Sequence, residues 1–244
     1  MAGRRAAMLV GLLAALFAWA VPVSAEPNAD HASPRATLVR ADIFWPAKGG
    51  PPAPATANCT DDDPSAYGET YALTGWTTEG LDGKAHLNVA TVPSSVASSA
   101  TSDLQAAFVA WSGASGAPAF TVVTDGAVRR ETANRQVDVL FGRTPGSAIA
   151  VTYTWRWSDG KYESDIVLSN RLAWADIADD GTGCNESVVA YDFQGIATHE
   201  IGHLYGLGHP AGDRFATMYA YGYTGETLKR TLATSDTNGI TTLY

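Results

Sequence analysis

Tyr191–Pro210 reads YDFQGIATHEIGHLYGLGHP, and three of the chain's five histidines fall inside it. The pattern is H-E-x-x-H followed by x-x-G-x-x-H. On a helix, four residues advance ~6 Å and turn ~400°, so His199 and His203 leave one face a single turn apart. Two imidazoles so placed can share one zinc ion at ~2.0–2.1 Å. Glu200 can reach a water on that ion without ligating it, which is the place of a general base. Gly206 accepts left-handed backbone angles at little cost, so it can end the helix and turn the chain back. His209 then meets the ion from outside the helix. The three-histidine set leaves a fourth position for water, as catalytic rather than structural zinc requires. Asp192 suits the N-cap of this helix. His31 and His86 lie outside the pattern and read as ordinary exposed or satisfied histidines.

Outward from this stretch, the chain alternates short apolar runs with one further helical pattern. Ser94–Trp111 places Val96, Leu104, Ala107, Phe108 and Trp111 at helical spacing, predicting an amphipathic helix with one buried stripe. Strands are predicted at His86–Val92, Phe120–Thr124, Val137–Phe141, Ala148–Trp157 and Asp165–Leu168, all rich in Val, Ile, Tyr and Trp. Helix, several strands, then helix is the order of an α+β domain. A polar loop, Asp176–Ser187, carries Cys184 ahead of the metal-site helix.

The N-terminal quarter differs in texture. Arg4 and Arg5, an apolar run Ala6–Val21 and the small residues Val23-Ser24-Ala25 have the form of a secretory signal peptide over residues 1–25. The run falls short of the ~20 residues a membrane span needs. Without residues 1–25, which hold two arginines and no acidic residue, 14 basic and 25 acidic residues remain, a net charge of −11. That balance argues against nucleic acid or an anionic membrane as a partner, since both need a basic footprint. The expected product is secreted and monomeric. Residues 26–65 read as a leader, short propeptide or linker, and six of twelve prolines fall within 26–58. Such a composition argues against a continuous helix or central strand, although Leu38–Trp45 is able to pair or pack. Residues 66–244 form the globular part. The two cysteines, Cys59 and Cys184, are expected to form a disulfide in an exported chain, closing a loop worth ~4–5 kcal/mol on the chain-entropy model. Cys59 as a thiolate on the zinc is the alternative.

The extended histidine motif resembles the metzincin metallopeptidases, and within them the matrixins in their bacterial secreted form. Ala216-Thr217-Met218-Tyr219, shortly after His209, matches the methionine turn that lies beneath the metal, with Met218 as an apolar floor. Ala106–Trp111 (AAFVAW), followed by Phe120 and by Val137–Phe141, resembles the first helix and following strands. Asp165–Asn170 (DIVLSN), followed by Trp174, resembles the edge strand and its exit. Leu232–Tyr244 (LATSDTNGITTLY) resembles the closing helix, with Asp236, Gly239, Ile240, Leu243 and Tyr244 in place.

The resemblance implies a zincin-like α+β fold: a twisted mixed sheet, an active-site helix and a small C-terminal subdomain. It implies one catalytic Zn2+ and a protein or peptide substrate lying along an edge strand at Ile166, Val167 and Leu168. Calcium is a further implication, at Asp176, Asp179 and Asp180, with a solvated acidic loop as the alternative. Two departures stand out. Ala57-Asn58-Cys59-Thr60-Asp61 does not match the zinc-blocking P-R-C-G-x-P-D motif of matrixin proforms. Ala220 stands where astacin- and serralysin-like relatives place a zinc-binding tyrosine, leaving Tyr221 and Tyr223 to line the cleft or pack.

The function these readings imply is a zinc-dependent endopeptidase. A secreted binding module that keeps zinc as a brace is the rival, and a zinc hydrolase of another amide is a third possibility. Gly195, four residues before His199, lies where matrixins border the main specificity pocket, and its missing side chain implies a roomy one.

Overall fold

The computed structural model describes residues 35–47, 70–178 and 183–244. In chain order the strands are β1 (Ala36–Pro46), β2 (Ala72–Leu73), β3 (Lys84–Leu87), β4 (Thr121–Val123), β5 (Val137–Gly142), β6 (Ala150–Trp157), β7 (Tyr162–Ser169), β8 (Trp174–Ala175), β9 (Tyr191–Asp192), β10 (Leu207–Gly208) and β11 (Tyr221–Gly222). The helices are α1 (Ala100–Ser115), α2 (Phe193–Tyr205) and α3 (Thr234–Leu243). Seven strands form one mixed sheet in the order β11-β1-β6-β7-β5-β3-β4. Neighbours from β7 to β4 run parallel, whereas β6 is antiparallel to both β7 and β1. β2 with β10 and β8 with β9 form two small ladders.

The apolar pattern explains the layering. Every residue of β5 is buried, as is every residue of β7 after Tyr162, which is what strands paired on both edges and covered on a face require. Helix α1 begins at Ala100, later than the periodicity predicts, because Ser94–Ser99 are in turns. Its stripe is nevertheless the expected one: Val96, Leu104, Ala107, Phe108 and Trp111 are all fully buried. Trp111 Nε1 donates to Thr198 O of α2 at 2.7 Å, which pins the two helices together through an otherwise costly buried polar group. The predicted strand His86–Val92 is shorter, ending at Leu87, where Asn88 caps a turn of 3₁₀ helix over Val89–Thr91.

Two sequence expectations change here. The edge strand expected at Ile166, Val167 and Leu168 is not an edge: these residues sit on β7, hydrogen-bonded to β5 on one side and β6 on the other. A run buried on both faces carries no signal of its rank in the sheet, so strand order could not be read from it. The second change concerns the proline-rich leader. Residues 36–46 form an eleven-residue strand between β6 and β11. The prolines bracket the strand at Pro34 and Pro46, and none falls between, so its ladder hydrogen bonds survive. The signal-peptide segment, His31, Cys59, Asp179 and Asp180 lie outside the described residues. No helix among the described residues is long and apolar enough to cross a membrane.

β7 also buries carboxyl groups, Glu163 and Asp165. Asp165 is fully buried and accepts main-chain N–H bonds from Thr132 (2.7 Å) and Asp138 (3.0 Å). Burial, reinforced by the nearby carboxylates of Asp138 and Glu163 and opposed by those two bonds, pushes its carboxyl up to about 8. The folded state therefore holds a proton that the unfolded chain releases near 3.8. This contribution to stability is complete below the unfolded value and is lost as pH rises towards 8. Replacing Asp165 with Asn should flatten the decline in unfolding free energy across that range by up to about one proton's slope, as urea denaturation at stepped pH would measure.

Candidate metal centre

Helix α2 starts where its cap residue dictates. Asp192, extended in backbone, accepts the N–H of Gly195 at 2.8 Å, and Arg230 holds the same carboxylate at 2.5 and 2.8 Å. The helix ends at Gly206, with φ +104°, where a Cβ would lie 2.2 Å from the carbonyl oxygen of Trp76. Only glycine meets both the angle and the contact. Beyond it, β10 carries the chain back to His209.

The result is convergence of three imidazoles. His199, His203 and His209 place their Nε2 atoms 3.0–3.2 Å apart. His199 and His203 are fully buried. Their Nδ1 atoms face main-chain oxygens, Thr217 O at 2.6 Å and Leu207 O at 2.8 Å. A carbonyl can only accept, so each Nδ1 carries the proton and each Nε2 presents a lone pair. The Nε2 lone pairs of His199 and His203 face each other at 3.2 Å, an approach that a cation shared with His209 Nε2 would relieve. Zinc held tetrahedrally at ~2.05 Å would separate its nitrogens by about 3.3 Å, so the site fits zinc with little adjustment. Burial, with the neighbouring cations, holds the His209 imidazole down at about 3 and lowers His199 and His203 as well, which keeps all three neutral as ligands must be. Among the described residues this is the one group of three or more His, Cys, Asp or Glu side chains placed to hold a metal.

Glu200 lies fully buried beside them. Thr152 on β6 donates its hydroxyl to Glu200 Oε2 at 2.5 Å, while Oε1 has no hydrogen-bond partner. Burial, outweighing that bond and assisted by Asp42, pushes the Glu200 carboxyl well above its usual range. An orphaned buried acceptor next to three convergent imidazole nitrogens is the mark of a place built for something further to bind.

The floor beneath is the stretch Ala216–Tyr219. Met218 is buried, and a Cβ on Gly202 would lie 2.2 Å from its sulfur and 2.7 Å from the Trp111 ring, so α2 can rest on the methionine only where it has no side chain. Asp236 of α3 clamps this turn. Its carboxylate accepts N–H bonds from Thr217 (2.7 Å), Met218 (3.1 Å) and Ala233 (2.9 Å). Through Thr217 it orients the carbonyl that holds His199.

The sequence model of the matrixin family matches residues 84–244. The chain belongs to the matrixin family. Its mixed sheet and helices are those of an α+β metzincin catalytic domain, and the family's zinc metallopeptidase chemistry accords with the three-histidine centre. No curated protein matches the chain. The matched matrixin domain begins at Lys84, the first residue of β3, so β1 and β2 lie outside it.

Several expected roles take a definite form in this matrixin. Tyr221 sits on β11 beside β1, and Tyr223 is half-buried with the Arg214 guanidinium 5.9 Å from its ring centre. Gly195 does not open a pocket: a Cβ there would meet Asp192 and Lys229 at 3.1 and 3.4 Å, so that space is already filled. Asp176 is paired to Arg230 at 3.3 Å, and the calcium loop expected around it is otherwise outside the described residues. His86 is buried, with Nδ1 2.8 Å from Asp125 Oδ1 and Nε2 without a hydrogen-bond partner, so the reading of it as exposed or satisfied holds for one ring nitrogen only. Cys184 is buried and bridges Glu226, while its expected partner Cys59 is not described. Sequence reasoning does not find Thr152 or Lys229, and it places Asp236 in the closing helix without linking it to the metal centre. A threonine in a strand and an aspartate in a closing helix carry no local signal of their partners.

Because Asp236 acts on the metal only through the turn it clamps, Asp236→Asn should weaken zinc binding about 10–100-fold without removing a ligand. Competition against a chromophoric chelator would measure it.

Proposed function

We propose that the protein is a secreted zinc endopeptidase whose general base is Glu200. The observation that carries this reading is the convergence of three imidazole Nε2 atoms beside the partnerless Oε1 of Glu200. His199, His203 and His209 would hold the ion. Zinc, when bound there, supplies Lewis acidity towards a peptide carbonyl and acidifies water. Thr152 fixes one oxygen of Glu200 and leaves the other to take a proton from water. A carboxyl pushed upward by burial keeps that proton until the leaving amine nitrogen accepts it, which suits one group to both tasks. The tied Nδ1 atoms hold the two helical imidazoles in the ligating tautomer throughout. Met218 shapes the floor and takes no part in proton transfer.

A structural brace would need a fourth protein ligand, and among the described residues no further His, Cys, Asp or Glu joins the three. The reading includes export by residues 1–25, a monomeric product and a Cys59–Cys184 disulfide, in keeping with an even cysteine count.

Glu200→Gln preserves shape and should retain zinc while lowering kcat on casein by about 10²–10⁴-fold. Metal analysis together with a casein assay, run with chelator and then with zinc restored, checks both halves. Undiminished proteolysis by the purified variant would remove Glu200 from this role.

A further inference from the structure

Lys229 is the only lysine or arginine buried among the described residues. An ammonium is seldom taken inside a protein without good reason, because its loss of water costs so much. Lys229 lies in the 3₁₀ turn Leu228–Arg230, which packs on α2. A Cβ on Gly195 would stand 3.4 Å from that of Lys229, so the lysine stem runs close against the first turn of α2. The ammonium ends at the methionine turn, where it donates to Ala216 O at 3.2 Å. The Tyr219 ring centre is 5.6 Å away, within cation–π range. The Phe44 ring, stacked on the His199 imidazole with centroids 4.1 Å apart, is at the same distance from the ammonium. Burial raises the Glu226 carboxyl, and the Lys229 charge is the largest influence opposing it, so these two buried groups balance one another through space.

Ala216 and Tyr219 are the two ends of one β-turn. Tyr219 N–H donates back to Ala216 O at 3.1 Å, which closes it. Its two central amides, Thr217 and Met218, go to the Asp236 carboxylate, and the Thr217 hydroxyl goes to Thr231 O at 3.0 Å. Asp236 therefore holds the middle of the turn, while Lys229 bonds to one end and lies over the ring of the other. The group left facing the metal centre is Thr217 O, which accepts from His199 Nδ1 at 2.6 Å.

From this geometry we infer that Lys229 is a positioning residue of the metal centre. Its ammonium staples the ends of the methionine turn and so fixes the direction of the Thr217 carbonyl, which keeps the His199 Nε2 lone pair aimed at the ion. It acts through the turn, as an outer partner that orients a ligand. The inference rests on the three-histidine reading above.

A buried ammonium also repels a nearby cation, and that effect on zinc affinity has the opposite sign to positioning. A double-mutant cycle separates the two, because the repulsion is the same with or without Asp236. Lys229→Met keeps the stem and most of the bulk. By competition against a chromophoric chelator on the full chain, its effect on the zinc constant should be about fivefold or more less favourable in the native background than in Asp236→Asn, whose turn is already loosened. The same factor in both backgrounds would overturn the inference and leave Lys229 as a charge alone. In the zinc-loaded chain the His199 Nδ1 proton signal should move upfield in Lys229→Met, as its bond to Thr217 O slackens; an unmoved signal would also count against the staple. The unmutated chain gives a reading that needs no variant to fold. With 15N-labelled lysine, the Lys229 ammonium protons should exchange slowly enough to be seen and should show a cross-relaxation contact to the Tyr219 ring. Loss of that signal to fast exchange would overturn the inference. A native chain that takes up no zinc would sink the metal-centre reading instead, while the ammonium signal would still decide whether the staple exists.

Discussion

Three imidazole Nε2 atoms gathered within 3.0–3.2 Å of one another, two of them with lone pairs set by main-chain carbonyls, form an arrangement that a single cation would stabilise. Much of the surrounding structure keeps those lone pairs aimed inward. Two carbonyls fix two tautomers, Gly206 turns the third ligand back, and Gly202 lets Met218 press against α2 from below. Asp236 ties the methionine turn to α3, so the last helix of the chain bears on the position of the first ligand.

The same burial that lowers the imidazoles raises Glu200. One cause acts with opposite sign on the imidazoles and the carboxyl, because low polarity disfavours charge of either kind. Lys229, buried nearby, adds a fixed positive charge that further disfavours protonation of His199 and His209 while standing within range of the Phe44 ring.

The leader strand changes how the sheet is understood. In the matched domain β6 would end the sheet, and an edge at the height of Thr152 is an obvious landing place for an extended chain. β1 occupies it, and Pro34 and Pro46 confine the strand to the interval between them. A composition that argues against regular structure when averaged over 26–58 contains a proline-free stretch of adequate length and apolar content. The average concealed it.

Read alone, the sequence settled what depends on local spacing. His199, His203, Glu200 and Gly206 lie on one helix and its exit, where a fixed rise and twist make positions computable, and Asp192 and the buried stripe of α1 follow from the same periodicity. Tertiary structure alone decided what depends on partners distant in the chain: that Ile166–Leu168 lie inside the sheet, that Thr152 holds Glu200, that Asp236 clamps the methionine turn, and that Phe44 rests on His199. Main-chain pairing looks the same from either edge of a strand, and a side chain's type does not name its partner, so these contacts exist only once the chain has folded.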